Sequence, residues 1–357
     1  MFQNASAFDQ TLTRDFSGAE DFTDMFHNAT NFTNGGQPIK WITSNAKEMT
    51  SMFENTNHDY EFENFNTAGV ESFARMFAGN TAFQGSSLLN WDTHSAIDMS
   101  SFFDGCEKFR GDLVNFDVSR VTTLRAAFRG ASSWSSDISN WNTTMLEDLS
   151  FAFEGCSLLN QNLEAWTTSR LRSITAAFRD ATNFLGFLST WDVSRVSDFT
   201  SLFEGATRFD GNVAPWNMTG AKTIKAMFKD ASTFNRNLNP WAVDGILDMT
   251  DAFSGARSFN QSLCWKLNER VLLSGIFSNS QACFVDACVP ETLLDSYECG
   301  GEQSVDQNTV DSEGNGGNSD NSTVNVAVGI ESSGVRIHYV PLFSIVMAGC
   351  ACLIVLL

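Results

Sequence analysis

Basic residues are scarce in this sequence. Its 357 residues include 22 Lys and Arg against 42 Asp and Glu, which gives a formal net charge of −20. A surface with this excess of negative charge repels phosphate backbones, so nucleic acid is not an expected partner. The acidity favours instead a protein that stays soluble outside the cell or on its surface.

Histidine is scarce as well, and the motifs of catalysis are missing. The histidines are His27, His58, His94 and His338. They show no metal-ligand spacing, and Cys-x-x-Cys, His-Glu-x-x-His, Gly-x-Ser-x-Gly and phosphate-loop motifs are absent from the sequence. We therefore predict no metal, no cofactor and no catalytic residue. Carboxylates are abundant, so a glycoside-cleaving pair stays open as a weaker alternative. The irregular stretch 57–66, with His58, Asp59, Tyr60 and Glu61, is the internal place for it, although a tolerated loop variant is favoured there.

Aromatic residues, by contrast, recur at a fixed spacing. The stretch Trp191–Phe209, WDVSRVSDFTSLFEGATRF, has relatives 25 residues away in both directions. Three aligned columns of large apolar residues predict a repeat array whose columns stack in the core. The Phe column is Phe103, Phe128, Phe153, Phe178, Phe203, Phe228 and Phe253; the Trp column is Trp141, Trp166, Trp191, Trp216 and Trp241; the aliphatic column is Leu113, Ile138, Leu163, Leu188, Val213, Leu238 and Leu263.

Each repeat contains the pattern of a short helix. Val121, Leu124 and Phe128 recur at spacings of three and four, as on one helix face, and Asp117 can cap the preceding N–H groups. The stretch 109–116 predicts a short strand stacked in parallel on its neighbours. The predicted fold is therefore α/β, a right-handed leucine-rich-repeat-like solenoid of about twelve units over residues 1–263.

The ends of the array differ. The chain starts inside a repeat, because residues 1–8 resemble residues 25–32, and this indicates a truncated N-terminus. At the other end, residues 264–299 read as a disulfide-stapled cap. Its four cysteines allow three pairings; they are Cys264, Cys283, Cys288 and Cys299. Cys106 and Cys156 replace Ala in a repeated column and read as small core residues.

A stalk and a membrane anchor are predicted after the cap. Residues 300–334 are rich in Gly, Ser, Asn and Asp without an apolar period, and residues 335–357 end in the uncharged run 340–357. The small residues Ser332, Ser333 and Gly334 precede this run, which favours a GPI-anchor signal. A retained transmembrane helix or a cytosolic tail anchor are the alternatives.

Two further patterns concern the surface. The residue after the Phe column alternates in charge, which predicts a ladder of ion pairs between repeats; its members are Asp104, Arg129, Glu154, Arg179, Glu204 and Lys229. N-glycosylation triplets support export; they begin at Asn4, Asn28, Asn31, Asn142, Asn217, Asn260 and Asn321.

The repeat resembles that of the BspA-like leucine-rich-repeat surface proteins. The residues that carry the resemblance are Trp191–Val196 and Phe203–Ala206, and the match covers about residues 1–284. The resemblance implies a solenoid displayed on a cell surface and associated with adhesion. The sequence departs from the pattern at the Trp position, with Phe65 and Phe116, and at the Gly position, with Asp180 and Asp230.

We therefore expect a non-enzymatic binding or adhesion protein at the extracellular face of the plasma membrane, attached to the membrane by its C-terminal tail. Its ligand would be a protein or a glycan on a cell surface or matrix. The expected binding face contains residues 112–115 and 235–239, where Asn and Asp point outward. The alternatives are a structural coat or wall component and, less favoured, a polysaccharide-cleaving enzyme.

Overall fold

The computed structural model describes residues 1–299, which form a stack of repeated turns of the chain. The predicted stalk, anchor and attachment residues lie outside the described residues, as does Asn321. Successive turns are joined by parallel β-bridges about one repeat apart. The bridged residues are Asp21, Glu48, Ser72, Asp98, Thr123, Asp148 and Ser173, then Asp198, Thr223, Asp248 and Leu272. The period seen in the sequence is thus the period of the stack.

Each repeat contains a run of tight turns, which we call the turn segment and which spans residues 98–106 in one repeat. Within it, the N–H of Asp104 donates to the carbonyl of Ser101 at 3.2 Å, and the N–H of Cys106 donates to that of Phe103 at 3.0 Å. Bonds between residues three apart are those of β-turns. Ser101 lies in the left-handed region, with a φ of 52°.

From Met99 to Gly105, every second N–H group of the turn segment points toward the next turn. The N–H of Ser101 donates to the carbonyl of Arg125 at 2.7 Å. The carbonyls of the intervening residues accept from the preceding turn, as when the N–H of Phe77 donates to Phe102 at 3.1 Å. This part of each turn therefore donates to the C-terminal neighbour and accepts from the N-terminal neighbour, whereas at the start of the segment the N–H of Asp98 donates to the preceding turn at 3.2 Å.

The helix predicted at Val121, Leu124 and Phe128 is wrong, because residues 1–299 contain no α-helix. The three side chains are nevertheless buried. Consecutive β-turns bring every third or fourth side chain to the same side, which is also the spacing of a helix face. The N–H of Leu124 donates to the carbonyl of Asp148 in the next turn at 2.9 Å, so the backbone is paired between turns.

The strand predicted over 109–116 is also wrong. Within residues 1–299 the strands are β1, Ser262–Leu263, and β2, Cys283–Phe284, paired in parallel with Ser262 opposite Cys283. Turn-to-turn backbone pairing lies in the turn segment instead. The 3-10 helices of the described residues are Asn34–Gly36, Leu88–Asn90, Asp286–Cys288 and Glu291–Leu293.

Aromatic rings stacked from turn to turn fill the interior. The ring of Phe203 stacks on those of Phe178 and Phe228, with centroids 5.7 and 5.6 Å apart. The indole N–H of Trp216 donates to the carbonyl of Leu188 at 2.9 Å. Every Phe and Trp predicted as repeat core is buried, none more than 6% exposed. Truncating such a Phe costs about 3–5 kcal/mol, so these columns are the main support of the stack.

Two disulfides tie down the C-terminal end. Cys264 is bonded to Cys288, and Cys283 to Cys299, which selects one of the three possible pairings. Cys106 and Cys156 are buried free thiols. Their burial raises the pKa of each thiol.

Residues 286–299, which we call the cover, lie beyond the last turn. Backbone N–H groups of the cover donate only within residues 285–299 among the described residues. Its other attachments are the buried side chains of Val289 and Leu293 and the contact of Tyr297 with Phe284, whose ring centroids are 5.0 Å apart. Disulfides and apolar contacts therefore hold the cover in place.

Candidate binding site

Two pairs of the predicted charge ladder form between neighbouring turns, whereas Glu204 and Lys229 do not pair with each other. Arg129 donates from Nε and Nη2 to the two carboxylate oxygens of Asp104, at 2.8 and 2.6 Å. Arg179 forms the equivalent pair with Glu154. The arginines are partly exposed, so each pair stabilises the fold by about 0–1 kcal/mol.

In some turns the position after the Phe column carries no charge. The charged residue of the preceding turn then pairs with a residue three positions earlier than that position. Ala78 stands in the column next to Glu54, and Arg75 supplies the guanidinium, its Nε 2.9 Å from the carboxylate. At Lys229 the carboxylate comes from Asp251, at 3.3 Å. Lys229 therefore does not pair with Glu204, which occupies the equivalent position in the preceding turn.

The result is a group of unpaired carboxylates. Among the described residues, Glu204 has no ion pair, and neither have Asp180 and Asp230, which occupy the Gly position of the turns on either side. We call these three residues the acidic depression, because they line a shallow hollow of about 450 Å³. Its other lining residues are Arg179, Thr182, Gly205 and Thr207.

The depression holds negative charge that its surroundings do not compensate. Burial raises the pKa of Asp180; Arg179 opposes the rise, and the carboxylates of Glu204 and Asp230 add to it. A carboxyl group whose pKa is raised in this way is stabilised by any cation placed next to it. The depression can therefore accept a positively charged group.

Polar side chains of the face expected to bind the ligand also join neighbouring turns. In the stretch 112–115, the carboxylate of Asp112 accepts the hydroxyl of Ser136 in the next turn at 3.0 Å. In the stretch 235–239, the side-chain oxygen of Asn239 accepts the N–H of Cys264 at 2.8 Å. These polar side chains are largely exposed, but they join neighbouring turns.

Three exposed apolar side chains interrupt this polar surface, and we call them the apolar patch. Leu158, Leu185 and Phe187 are 49, 39 and 57% exposed. The equivalent positions in the neighbouring regular repeats are polar: Lys108, Ser133, Asn183, Arg208, Thr233 and Ser258; Arg110, Ser135, Asn160, Asp210, Asn235 and Asn260; Asp112, Asp137, Asn162, Asn212, Asn237 and Ser262. Comparing equivalent positions between repeats reveals the patch, but no sequence motif indicates it.

The patch and the acidic depression share one turn of the chain. Thr182 lines the depression, and Leu185 and Phe187 follow it in the same turn. The N–H of Leu185 donates to Asn160 of the preceding turn at 3.1 Å. A β-carbon on Gly186 would collide with the carbonyl of Gln161 in that turn, so only glycine fits between the two apolar residues. Together the patch and the depression form an amphiphilic surface.

Smaller apolar pairs occur elsewhere. Leu89 and Val114 are 44 and 56% exposed in neighbouring turns, and so are Leu247 and Leu272, at 46 and 58%. Neither pair includes an aromatic residue. The apolar patch around Phe187 is therefore the better candidate for contact with a partner.

Two of the predicted glycosylation sites lie in turns that leave the asparagine side chain exposed. The side-chain oxygen of Asn142 accepts the hydroxyl of Thr144 at 2.9 Å, and that of Asn217 accepts the hydroxyl of Thr219 at 2.7 Å. Asp117, predicted to cap a helix, closes the same kind of turn by accepting the N–H of Ser119 at 2.8 Å. Asn142 and Asn217 are exposed.

The N-terminal sites are placed differently. Asn28 donates its side-chain N–H to Asn4 at 2.9 Å and accepts one from Asn55 at 2.9 Å, so the three form a ladder across turns. Asn28 is also half-buried. Asn31 and Asn260 are exposed.

The polar contacts of His94 and of the stretch 57–66 bear on the alternative of a catalytic role. Asp92 and Ser95 contact the ring nitrogens of His94 at 2.8 and 3.1 Å, but His94 and Asp92 are 55 and 56% exposed. In the stretch 57–66, the hydroxyl of Tyr60 is buried and donates to the carbonyl of Phe32 at 2.8 Å. Among residues 1–299, no group of three or more His, Cys, Asp or Glu is placed to hold a metal ion. In the same residues no helix is long and apolar enough to cross a membrane.

A family model described as "Mycoplasma protein of unknown function, DUF285" matches residues 1–87, 72–188 and 172–286. The chain belongs to this DUF285 family. The acidic depression and the apolar patch both lie inside the region that the DUF285 model covers. No curated protein sequence matches the DUF285 chain.

Among solved structures, the DUF285 chain is similar to an internalin (inlF) from Listeria monocytogenes str. 4b F2365. The two are 9% identical, and the alignment covers 74% of this chain and 84% of that chain with a TM-score of 0.25. At this TM-score the similarity carries no argument about fold or partner.

Proposed function

We propose that this DUF285 protein is a non-catalytic, extracellular binding protein whose partner is a protein. The observation that carries the proposal is the apolar patch, three exposed apolar residues at positions that are otherwise polar. An aromatic residue exposed among aliphatic ones is typical of the centre of a protein interface, where burial excludes water. The two disulfides favour an oxidising compartment.

The experiment measures saturable binding of the labelled full-length chain to immobilised matrix proteins and to a glycan array. The test variant is Phe187→Ser, and the matched control is Val114→Ser, which removes an equally exposed apolar side chain elsewhere. We expect protein binding that falls at least about tenfold in the test variant and is unchanged in the control. Glycan binding that neither variant alters would contradict the proposal.

We further propose that the chain is displayed on the cell surface through a GPI anchor at Ser332, Ser333 or Gly334. The uncharged run that ends the sequence supports this. Phosphatidylinositol-specific phospholipase C should release the chain from intact cells. Full retention would favour a membrane-spanning helix. Lateral self-association without saturable attachment to a ligand would favour the alternative of a structural coat.

A further inference from the structure

The apolar patch and the acidic depression together specify the chemistry of the partner. We propose that this surface binds a protein segment in which a Lys or Arg lies close in sequence to an aromatic or aliphatic residue. The inference rests on the proposed function, since it names the partner for the same site.

The charges around the site leave an excess of negative charge. Opposite charges cancel within three ion pairs: Glu154–Arg179, Asp251–Lys229 and Asp210–Arg236. Outside these pairs stand the three carboxylates of the acidic depression and one guanidinium, that of Arg208, which donates to Asn183 at 3.1 Å. The three carboxylates of the acidic depression thus have no ion pair of their own in the part of the chain that the structure describes, and a cationic side chain of a partner would balance their charge.

The two parts of the site require one partner that serves both. An apolar side chain buried against Phe187 and Leu185 gains about 1.5–3 kcal/mol from removal of its surface from water. A neutral apolar ligand would leave Asp180, Glu204 and Asp230 without a counter-charge. Lys and Arg have long aliphatic stems, so their charged ends can reach the depression while the adjoining residue covers the patch.

The experiment selects a phage-displayed library of random dodecapeptides on the immobilised full-length chain. Three variants of the chain are compared: Phe187→Ser, the triple variant Asp180→Asn/Glu204→Gln/Asp230→Asn, and the control Val114→Ser. We expect the enriched peptides to combine Lys or Arg with an aromatic or aliphatic neighbour. Their affinity should fall about tenfold in Phe187→Ser and in the triple variant, and should stay unchanged in the control.

Salt distinguishes the two contributions. Binding to the wild-type chain should weaken as ionic strength rises, and the triple variant should lose most of that dependence. Melting temperatures close to that of the wild-type chain establish that the variants fold.

The outcomes separate the two proposals. Enriched peptides that depend on Phe187 but have no excess of Lys or Arg would overturn this inference and leave the proposed function intact. A selection in which no peptide depends on Phe187 would overturn both. Equal binding by the wild-type chain and the triple variant would also overturn the inference.

Discussion

The carboxylate of Asp180 occupies the space that a β-carbon on Gly205, one turn further on, would need. The same relation joins Asp230 to Gly255. Glycine at the left-handed position of one turn thus leaves room for the Asp side chain at that position in the preceding turn. Consistent with this, Asp180 and Asp230 alternate with glycines along the column.

Gly205→Ala should destabilise the protein more than Gly130→Ala. Both glycines have positive φ, 70° and 71°, so each substitution costs about 1–2 kcal/mol for the left-handed backbone. Only Gly205 faces a carboxylate, whereas Gly130 faces the Cα of Gly105 at 3.5 Å. Urea unfolding should show a further loss of about 1–3 kcal/mol for Gly205→Ala. Asp180→Gly should remove that further loss, and a loss that persists would show that the contact is unimportant.

Glu54 and Arg75 should be coupled in a double-mutant cycle. The carboxyl side chain of Glu54 is only 6% exposed. Burial acts to raise its pKa, but the hydrogen bonds from Arg75 and Ser51 and the charges of Arg75 and His27 together lower the pKa overall. We expect a coupling of about 1–3 kcal/mol at neutral pH from urea unfolding of Glu54→Gln and Arg75→Gln.

The exposed pair Lys40–Glu63 is the control, and its coupling should be below about 1 kcal/mol. A lowered carboxyl pKa stabilises the fold above the unfolded pKa, so the Glu54–Arg75 coupling should disappear as the pH falls through the folded pKa. Equal coupling in the two pairs would show that the burial of Glu54 has no effect.

Asp180→Asn should stabilise the protein at neutral pH. The pKa of Asp180 is raised in the folded state, so ionisation of this group opposes folding. Asparagine tolerates the φ of 56° at this position. The gain in the free energy of unfolding should be complete above the pKa of Asp180 in the folded state. It should vanish below the pKa of this group in the unfolded state. Thermal unfolding across a pH series measures it, and a gain that is independent of pH would rule out the electrostatic explanation.

Removing the disulfide between Cys264 and Cys288 should destabilise the C-terminal end. The bond closes a loop with a sequence separation of 24, so Cys264→Ser/Cys288→Ser should lower the free energy of unfolding by about 3 kcal/mol. Hydrogen exchange should rise first in residues 273–284, on which the cover lies. Cys106→Ala is the control, because alanine occupies that column in other repeats, and its effect should be smaller.

Glycans should be found at Asn142 and Asn217 when the chain is expressed in a glycosylating eukaryotic host. Both asparagines are exposed, and within the described residues neither side-chain N–H donates a hydrogen bond. A glycan on Asn28 would interrupt its bond to Asn4. Mass spectrometry of tryptic peptides measures occupancy, and full occupancy at Asn28 in a stably folded protein would contradict this interpretation.

The repeat, its core columns and the ladder of ion pairs follow from the sequence, because residues such as Phe203 and Arg129 recur at one spacing. The backbone conformation does not follow as readily. Helices and serial β-turns both bury residues such as Val121 and Leu124 at spacings of three and four. The two conformations differ at Ala126, whose φ of 54° lies in the left-handed region. Alanine rarely adopts that region, so the sequence does not predict it.

The candidate site was missed for a different reason. The expected face was chosen for its exposed Asn and Asp, yet residues such as Asp112 and Asn239 bond to the neighbouring turn. Phe187 and Glu204 matter because each departs from its column, Phe187 in polarity and Glu204 in lacking a partner. Glu204 has no ion pair within residues 1–299 because Lys229 pairs with Asp251 instead. The spacing in the sequence does not show which of the two carboxylates the lysine contacts.

Because the N–H groups at Met99, Ser101, Phe103 and Gly105 and their equivalents all point toward the next turn, the two ends of the stack differ. At the C-terminal end, the N–H groups of Leu273, Gly275, Phe277 and Asn279 have no backbone acceptor among the described residues. The cover that lies there contains the acids Asp286, Glu291, Asp295 and Glu298 and no base. A cover rich in carboxylate acceptors suits an end at which backbone N–H groups lack a next turn.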